Sequence, residues 1–453
     1  MKEFTEEYLD NIRDIIARAD EDAARAELQD MHPADVAELY QDLNVDQAEY
    51  LFKLLDEETR AAVLMELDEE DRHKLLEGMS AQEIAKQYID YLDTDEAVDL
   101  IQELDEEDRE EVLSHIDDVE QAGDIIDLLK YDEDTAGGLM GTEMIVVNEN
   151  WSMPECIKQM RMQAEEMDDI YYVYVVDNDD RLRGILPMKT LITHPSVSKI
   201  KHIMETDPVA VKADMPIDEV ALDFEKYDLV AMPVIDSIGR LVGQITVDDV
   251  MDQVRESSER DYQLASGLSS DVDADDSVWA QTKARIPWLL IGIGSGILAS
   301  LILTNFQAQI EAVTALALFI PIIGGTGGNV GVQASAIVVQ GLANGSLSIK
   351  EFGKQLWKEV RVGFINAIII SSVILAYNLL MLPDNLAVTL SVATSLFIVV
   401  MFATLLGSIV PLTLEKFKIN PALATGPFIQ ISNDIVGLII YVYISTWLLG
   451  LLG

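Results

Sequence analysis

The second half of the chain contains five long apolar segments separated by short polar connections. They cover approximately residues 286–306, 312–343, 362–382, 386–414 and 423–452. Each segment reaches the roughly 20 residues that a helix needs to cross the hydrocarbon core of a membrane. The pattern therefore predicts five membrane-spanning helices.

Basic residues lie in alternate connections between these segments, and this alternation predicts an orientation. They precede the first span, separate the second from the third, and separate the fourth from the fifth, whereas the other two connections contain no Lys or Arg. Because short loops rich in Lys and Arg stay on the cytoplasmic side, we predict that residues 1–282 are cytoplasmic. The C-terminus then lies outside, and the chain is a multi-pass protein of the plasma or inner membrane. The basic residues are Lys283, Arg285, Lys350, Lys354, Lys358, Arg361, Lys416 and Lys418.

Net charge divides the chain at the same place. Of 80 acidic and 31 basic residues, only six and eight lie from Lys283 onward, so residues 1–282 carry a net charge of about −51. Such a surface repels nucleic acid and concentrates cations, so we predict no nucleic-acid partner. Two interpretations remain open: specific sensing of divalent cations, or a solvated acidic surface of the kind that adaptation to salt favours.

Asp434 is the only charged residue in the last apolar segment. A carboxylate at this depth is energetically costly, so we expect it to handle a cation. The alternative is a carboxylate that pairs with another membrane helix or stays protonated. Gly426 and Pro427 precede it by one to two turns, and Pro427 cannot donate the helical hydrogen bond to the carbonyl of Leu423. We therefore predict a weakened helix that leads into a buried acid, with Asn433 beside it.

The second apolar segment has an unusual composition. It reads PIIGGTGGNVGVQ from Pro321 to Gln333. The glycines permit close helix approach and, with Pro321, an irregular backbone whose free carbonyls can face a water-filled path. Asn329 and Gln333 are four residues apart and share a helix face. Close packing of small residues is the alternative, but together with Asp434 the pattern predicts a polar pathway that includes Gly328.

Residues 1–132 repeat a short helical theme. ELDEEDR occurs at residues 66–72 and 103–109, and a looser copy, LLDEETR, occurs at 54–60. Asp caps a helix N-terminus well, and each copy runs into apolar residues. We therefore predict stacked short helices that form an all-α superhelical domain. This domain has no catalytic constellation of residues, and we predict that the chain is not an enzyme.

Cys156 is the only cysteine of the chain. Neither an intramolecular disulfide nor a thiolate metal cluster can therefore form. A reducing, cytosolic location fits the first part of the chain.

A second repeat, with a period of 59 residues, covers about residues 138–256. VVDNDDRLRGIL at 175–186 matches VIDSIGRLVGQI at 234–245. Each unit reads as strand, helix, strand, tight turn, strand and helix. The pattern predicts a paired α/β module.

This module resembles a tandem pair of cystathionine-β-synthase (CBS) domains. The resemblance implies a sensor of a small ligand, often an adenine nucleotide such as ATP, whose ribose is held by a Thr and by an Asp three residues later. Thr246 and Asp249 match this pattern in the second unit, whereas the first has Pro187 and Thr190. At most one good nucleotide site is therefore implied.

The segment after the second repeat, residues 247–264, is predicted to continue as a helix. Its position before the first span makes it the natural link between the sensor and the membrane, and an ordinary solvated linker is the alternative. Its acidic residues are Asp248, Asp249, Asp252, Glu256, Glu259 and Asp261.

The order of these parts closely resembles the MgtE-type magnesium channels over essentially the whole chain. The specific motifs are TVDDVMD at residues 246–252, GGTGGNVGVQ in the second span and NPALATGPFIQISND in the last. The resemblance implies a membrane-embedded homodimer that passes Mg²⁺ through a central pore lined by the second and fifth spans. Asp434 from each copy then faces the dimer axis, and the segment after Thr246 is a plug helix.

The resemblance also implies that Mg²⁺ is the regulatory ion. Bound Mg²⁺ at interfaces between the N-terminal domain, the CBS pair and the plug helix closes the pore, and low Mg²⁺ opens it. The matching acids are Asp218, Asp228, Asp249 and Asp252, with Asp248, Glu256 and Glu259 also on the plug segment.

The plug segment departs from the family pattern at several positions. Arg255, Ser257 and Arg260 stand where relatives often carry acids, and Asn420 stands where some have an acid beside the proline. One or more Mg²⁺ sites are therefore expected to be missing or weaker. The alternative function is a secondary transporter in which Asp434 exchanges a proton or Na⁺ for the divalent ion.

The predicted chain is therefore multi-domain. An all-α superhelical domain (1–132) precedes two CBS domains (133–200 and 201–252). A plug and connecting helix (253–282) then leads to an α-helical transmembrane pore domain of five spans (283–453).

Overall fold

The computed structural model describes residues 4–29, 31–164, 167, 170–195, 197–270, 272, 274, 276–307, 313–347, 352–381 and 385–452. Lys350 and the predicted span ends at residues 312 and 382 lie outside the described residues. The chain forms two compact units, Met1–Val254 and Arg255–Gly453. The boundary between them falls inside one helix, Val247–Ser266.

The first unit begins with the predicted stack of short helices. Ten α-helices of 7 to 12 residues follow one another in the described part of this region. Their apolar faces share one hydrophobic core, which continues into the second CBS unit. The helices are α1 Glu6–Ala17, α2 Glu21–Leu28, α3 Pro33–Gln41, α4 Val45–Phe52, α5 Glu57–Met65, α6 Glu69–Leu76, α7 Ala81–Gln87, α8 Thr94–Glu103, α9 Glu106–Leu113 and α10 Val119–Leu128.

The arginine of each repeated motif turns back onto the preceding helix. Arg60, Arg72 and Arg109 each donate to the main-chain carbonyl five residues earlier, at 2.7 to 2.8 Å. These guanidinium groups satisfy carbonyls that the end of a helix leaves without a partner. The motif therefore stabilises the turn between two helices.

The capping prediction is only partly confirmed. Asp56 accepts a hydrogen bond from the backbone N–H of Thr59 at 3.0 Å, as a cap should. Asp68 and Asp105 occupy the same position but make no side-chain cap bond. In the second copy, Asp68 instead accepts from Gln41 at 3.2 Å.

The CBS pair has the predicted order of strands and helices. The first sheet has the order β1-β2-β3-β4 and the second β5-β6-β7; in each, the first two strands are parallel and the next pair is antiparallel. The strands are β1 Ile145–Asn148, β2 Val173–Val176, β3 Leu182–Leu186, β4 Glu205–Thr206, β5 Val211–Lys212, β6 Ala231–Ile235 and β7 Leu241–Thr246. The helices are α11 Met153–Gln163, α12 Met188–Thr193, α13 Ile217–Tyr227 and α14 Val247–Ser266.

The hairpin turns confirm the internal repeat at atomic detail. Asp177 and Asp236 each accept hydrogen bonds from the backbone N–H groups two and four residues later, at 2.8 to 3.1 Å. The equivalent residues Asp180 and Gly239 both have positive φ, 58° and 87°. Asp and Gly both tolerate this conformation in turns, so the two units fold alike although their sequences differ.

Among its described residues, the second unit contains five helices that are long and apolar enough to cross a membrane. α18 is central, because it packs against α16, α17 and α19, whereas α17 packs mainly against α18. The helices are α15 Val278–Asn305, α16 Ile320–Ala343, α17 Phe352–Met381, α18 Leu386–Lys416 and α19 Gly426–Leu452, and 3-10 turns at Thr314–Phe319 and Pro421–Ala424 precede α16 and α19.

In the second and the last spans, the irregular backbone lies upstream of the positions at which the sequence predicted it. The glycine stretch is part of the continuous helix α16, and the distorted segment is Thr314–Phe319, upstream of Pro321. The last span is broken rather than weakened, because α19 begins at Gly426, which has a φ of 40°. Pro427 therefore lies in the first turn, where its missing N–H costs no hydrogen bond.

Candidate functional site

A groove of glycines on α16 receives the side chains of α19. Gly324, Gly328 and Gly331 share one face of α16 because they are spaced by four and three residues. Oδ1 of Asp434 lies 3.4 Å from the position that a Cβ would occupy at Gly324 and at Gly328. The absent side chains therefore make room for the carboxylate between the two helices.

Asn433 fills the next part of this groove. A Cβ at Gly331 would overlap the amide nitrogen of Asn433, and Asn433 is only 1% exposed. Neither atom of its amide has a hydrogen-bond partner in the described part of the chain. A buried polar group without a partner costs about 1–3 kcal/mol, so water or a hydrated ion in the groove would stabilise this arrangement.

Two polar residues of α16 that were predicted to line the pathway point elsewhere. Asn329 and Gln333 share a face, as predicted, but both are exposed and lie outside the groove that holds Asp434. Gln430 on α19 is also exposed, although its Cγ lies 3.1 Å from a Cβ position at Gly328. Exposed amides on membrane helices are costly in lipid, so this surface should meet water or another polypeptide.

The end of α14 packs against the start of α19. Asn420 Nδ2 donates a hydrogen bond to Asp261 Oδ1 at 2.8 Å. A Cβ at Gly267, whose φ is 84°, would lie 2.6 Å from Cγ of Pro427, and one at Gly426 would overlap a carbonyl oxygen of α14. The helix that was predicted to be a plug therefore ends on the first turn of α19, about two turns before Asp434.

An acidic cluster lies in the first unit, around the start of α8. Asp95 and Glu96 occupy its first turn, and Glu143 accepts hydrogen bonds from the backbone N–H and the hydroxyl of Thr94 at 3.1 and 2.9 Å. Asp249, at the start of α14, is the fourth member. We call these four acids, Asp95, Glu96, Glu143 and Asp249, the α8 cluster.

Burial and repulsion from nearby acids raise the pKa of Asp95, Glu96 and Asp249. Burial, followed by repulsion from Asp249 and Glu143, raises the pKa of Asp95 well above its usual value. Burial and nearby acids, including Asp249, raise the pKa of Glu96 to about 7. Burial likewise raises the pKa of Asp249, against the opposing effect of hydrogen bonds from Thr246. Neutralisation of these carboxylates, by bound protons or by cations, therefore stabilises the close approach of the acids in the α8 cluster.

Thr246 and Asp249, the predicted nucleotide-binding pair, bind each other. The hydroxyl of Thr246 donates to the carboxylate of Asp249, and its backbone N–H donates to the same oxygen at 3.2 Å. The ribose of a bound nucleotide would therefore have to displace the hydrogen bond between the Thr246 hydroxyl and the Asp249 carboxylate.

The other predicted metal ligands are distributed along the chain. Asp248 and Asp252 lie close enough to raise the pKa of Asp249. Asp218 and Asp228 lie at the two ends of α13, and both are exposed.

Glu256 and Glu259 belong to the second unit and are also exposed. Glu256 accepts from Arg260 at 2.6 Å. Within the described residues, no three acidic, histidine or cysteine side chains form a ready-made metal site. Mg²⁺ keeps several of its waters, so acids spaced more widely can still hold the hydrated ion.

Three acids of the α8 cluster were not predicted from the sequence. Asp95, Glu96 and Glu143 lie among many similar acids in residues 1–282, and no local motif distinguishes them. Their distinguishing property is partial burial near Asp249, which depends on tertiary packing. The segment TDEAVDL, which combines an N-cap pattern with buried apolar positions, is the signal that could have indicated a buried first turn.

We expect Gly331→Ala to destabilise the membrane unit, because the added methyl group would overlap the amide of Asn433. Overpacking of this kind costs typically ~1–3 kcal/mol. Thermal unfolding of the full chain in detergent should therefore shift to lower temperature.

Gly325→Ala is the matched control on the same helix, since nothing lies within 4 Å of its Cβ position. Its melting temperature should stay at or slightly above that of the unchanged chain, because Ala favours helix over Gly. Equal destabilisation by both substitutions would contradict the close contact at Gly331.

Comparison with known proteins agrees with this arrangement. The family model of the MgtE divalent cation transporters matches residues 320–444. The model of the MgtE intracellular N domain matches residues 31–134, and that of the CBS domain matches residues 136–196 and 200–256.

Similar proteins cover most of the chain. The magnesium transporter MgtE of Thermus thermophilus is 35% identical over 70% of this chain and 71% of its own length. That of Bacillus subtilis is 32% identical over 69% of each chain.

Two solved structures resemble the first part of the chain. The soluble part of a magnesium transporter matches with a TM-score of 0.51 and 27% identity, over 56% of this chain and 99% of that one. The cytosolic domain of the Mg²⁺ channel MgtE in complex with ATP matches with a TM-score of 0.50 and 31% identity, over 54% and 99%. The chain, with its N domain, tandem CBS domains and five membrane helices, is therefore a member of the MgtE family of magnesium transporters.

Proposed function

We propose that this protein is a Mg²⁺ channel whose pathway runs along the glycine groove of α16 past Asp434. The observation that carries this proposal is the position of the Asp434 carboxylate against Gly324 and Gly328. Mg²⁺ gives up its water reluctantly, so a few oxygens around a hydrated ion suit it better than a closed protein cage. The groove offers this carboxylate and the unpartnered amide of Asn433.

We propose that two copies complete the pathway. Asn329, Gln333 and Gln430 are exposed polar side chains on α16 and α19. In a monomer they would face lipid, which is costly. In a homodimer they would line a shared aqueous path, and the two Asp434 carboxylates would face each other across it.

The basic residues at one end of the spans support a proposal for their orientation. We propose that α15 and α17 begin, and α18 ends, on the cytoplasmic side of the plasma or inner membrane. The acidic first unit would then lie in the cytoplasm, and the ion would leave the pathway beside the junction of α14 and α19.

We propose that the α8 cluster regulates the pathway. Its half-buried carboxylates repel one another when cytoplasmic Mg²⁺ is low, which favours separation of α8 from the start of α14. With Mg²⁺ available, the neutralised carboxylates can stay together, and α14 keeps its contacts at Gly426 and Pro427. Moving an equilibrium from 1:99 to 99:1 requires ~5.5 kcal/mol of differential binding, which several weak sites can supply together.

A role for ATP remains part of this proposal. A relative's cytosolic domain is described in complex with ATP, and Thr246 and Asp249 fit the Thr and Asp pattern that the resemblance to CBS domains implies for a ribose. Because Thr246 and Asp249 already bind each other, a nucleotide must compete with this internal contact.

Electrical recording tests the channel against a proton- or Na⁺-coupled transporter. In planar bilayers that contain the purified chain, we expect Mg²⁺ currents with discrete single-channel steps. They should persist when proton and Na⁺ gradients are removed. Currents that strictly require either gradient would establish the coupled transporter instead.

We expect the α8 cluster to make the metal-free protein less stable as pH rises. The pKa of Glu96 is raised from 4.5 to about 7 in the folded state, so the folded chain binds more protons than the unfolded chain between these values. The contribution of Glu96 to the free energy of unfolding is then fully present below about pH 4.5, and it is lost as pH rises through about 7. Hydrogen exchange of α8 in the full chain, corrected for the intrinsic effect of pH, should therefore be faster at pH 7.5 than at pH 5.

Added Mg²⁺ at pH 7.5 should restore protection of α8, whereas NaCl of equal ionic strength should not. Equal protection by the two salts would favour the alternative that the acidic surface reflects adaptation to salt. Exchange that does not change with pH would show that these carboxyl groups are not coupled to folding.

A further inference from the structure

The first turns of α17 carry basic side chains on the side that faces away from α18. Lys358 and Arg361 are exposed, and they lie three residues apart on one helix face. α17 packs mainly against α18, so this outer face lies apart from the glycine groove between α16 and α19. It is therefore free of the transport function proposed above.

The acid that could neutralise this face points inward. Glu359 is the only acidic residue in α17, and it is 4% exposed. Its carboxylate accepts a hydrogen bond from Gln355 Nε2 at 3.2 Å, and both side chains are buried. The helix thus separates its charges, with the carboxylate inside and the cations outside.

Apolar side chains continue the same outer face toward the middle of the span. Trp357 is 62% exposed beside the cations, and tryptophan prefers the headgroup level of a membrane. Below it, the exposed side chains are Val362, Ile365, Ile368, Ile369 and Val373. The surface therefore combines a cationic end, an interfacial aromatic ring and a long apolar stretch.

We propose that this surface, Trp357, Lys358 and Arg361 with the apolar stretch below, binds an anionic phospholipid. The lipid phosphate would pair with Lys358 and Arg361, because a guanidinium group binds phosphate through two parallel hydrogen bonds. The acyl chains would lie along the exposed isoleucines. Two cations, an interfacial tryptophan and an apolar stretch follow one another along this face. A phospholipid with an anionic headgroup and apolar acyl chains matches all three parts in the same order, and this match favours a lipid as the occupant.

Native mass spectrometry of the full chain tests this proposal. The chain is released from micelles that contain phosphatidylglycerol and phosphatidylcholine in equal amounts. We expect the unchanged protein to retain phosphatidylglycerol preferentially. In the double variant Lys358→Gln/Arg361→Gln, binding of phosphatidylglycerol should weaken roughly 10- to 30-fold. Each Lys or Arg near an anionic lipid surface strengthens binding by roughly three- to fivefold, and the variant removes two of them.

Two further variants distinguish a specific lipid site from nonspecific electrostatic attraction of anionic lipids to basic residues. Lys416→Gln/Lys418→Gln removes two exposed cations from the same end of the spans, and its binding should fall by less than roughly threefold, since those charges lie beside Glu415. Lys358→Arg/Arg361→Lys keeps both charges and should retain preferential binding.

Equal loss in the two Gln variants would overturn the proposal, as would equal retention of the two lipids by the unchanged protein. A Lys358→Gln/Arg361→Gln variant that bound lipid normally but changed its oligomeric state would show that a second copy covers this face. Unchanged melting of the variants in phosphatidylcholine would establish that each is folded.

Discussion

Asp434→Asn is expected to reduce Mg²⁺ flux into liposomes by at least ~100-fold while the protein still assembles. The amide has nearly the size of the carboxylate, so the contacts at Gly324 and Gly328 can persist. Two unit charges 4 Å apart attract by about 1 kcal/mol in water and about 4 kcal/mol near a protein surface, and a divalent ion doubles this energy. A loss of about 3 kcal/mol, or ~100-fold in rate, is therefore a conservative expectation.

Glu359→Gln is the matched control for this substitution. Glu359 is the buried acid of α17, a helix that packs mainly against α18 rather than along the glycine groove. Its loss should leave Mg²⁺ flux within about twofold of the unchanged protein, since it lies off the proposed path. Unchanged flux in Asp434→Asn would remove Asp434 from the pathway, whatever the result with Glu359→Gln.

Neutralising the α8 cluster is expected to uncouple flux from cytoplasmic Mg²⁺. In Asp95→Asn/Glu96→Gln, the repulsion with Asp249 and Glu143 is removed, so α8 and the start of α14 no longer separate when Mg²⁺ is low. Flux at low and at millimolar cytoplasmic Mg²⁺ should then differ by less than about twofold, compared with at least ~10-fold in the unchanged protein, which corresponds to ~1.4 kcal/mol of coupling.

The matched control removes two acids that are exposed. Glu106 and Glu107 lie in the first turn of α9 in the same domain, and Glu106→Gln/Glu107→Gln removes the same number of negative charges. Its regulation by Mg²⁺ should be normal. If this variant also lost regulation, total acidity rather than the α8 cluster would be the sensor.

Much of the fold could be predicted because its signals are local. The five spans follow from hydropathy alone, since a lipid-exposed backbone must satisfy its own hydrogen bonds. The CBS repeat follows from a period of 59 residues that preserves Asp177 and Asp236, both of which fold the same turn. The family assignment rests on the same local motifs, and comparison with known proteins confirms it.

The details that could not be predicted depend on contacts between distant segments. Pro427 indicated a weakened helix, but Gly426 begins a new one, because the end of α14 packs against it. Asn329 and Gln333 share a face as predicted, yet that face is not the one that meets Asp434. Which face of α16 receives α19 depends on glycines whose packing partners are far away in sequence.

The α8 cluster shows the same limit for charged residues. Asp249 could be selected because it belongs to a short motif, TVDDVMD. Asp95 and Glu96 could not, because burial rather than residue type sets their pKa apart from that of the other acids.

A crystal structure of the full chain grown with Mn²⁺ tests the central proposal most directly. Mn²⁺ prefers the same octahedral oxygen ligands as Mg²⁺, and its anomalous scattering locates it without ambiguity. We predict peaks beside Asp434 in the glycine groove and between α8 and Asp249, so that one ion is both transported and sensed. Peaks at the α8 cluster with none along the groove of α16 would contradict a pathway at Asp434.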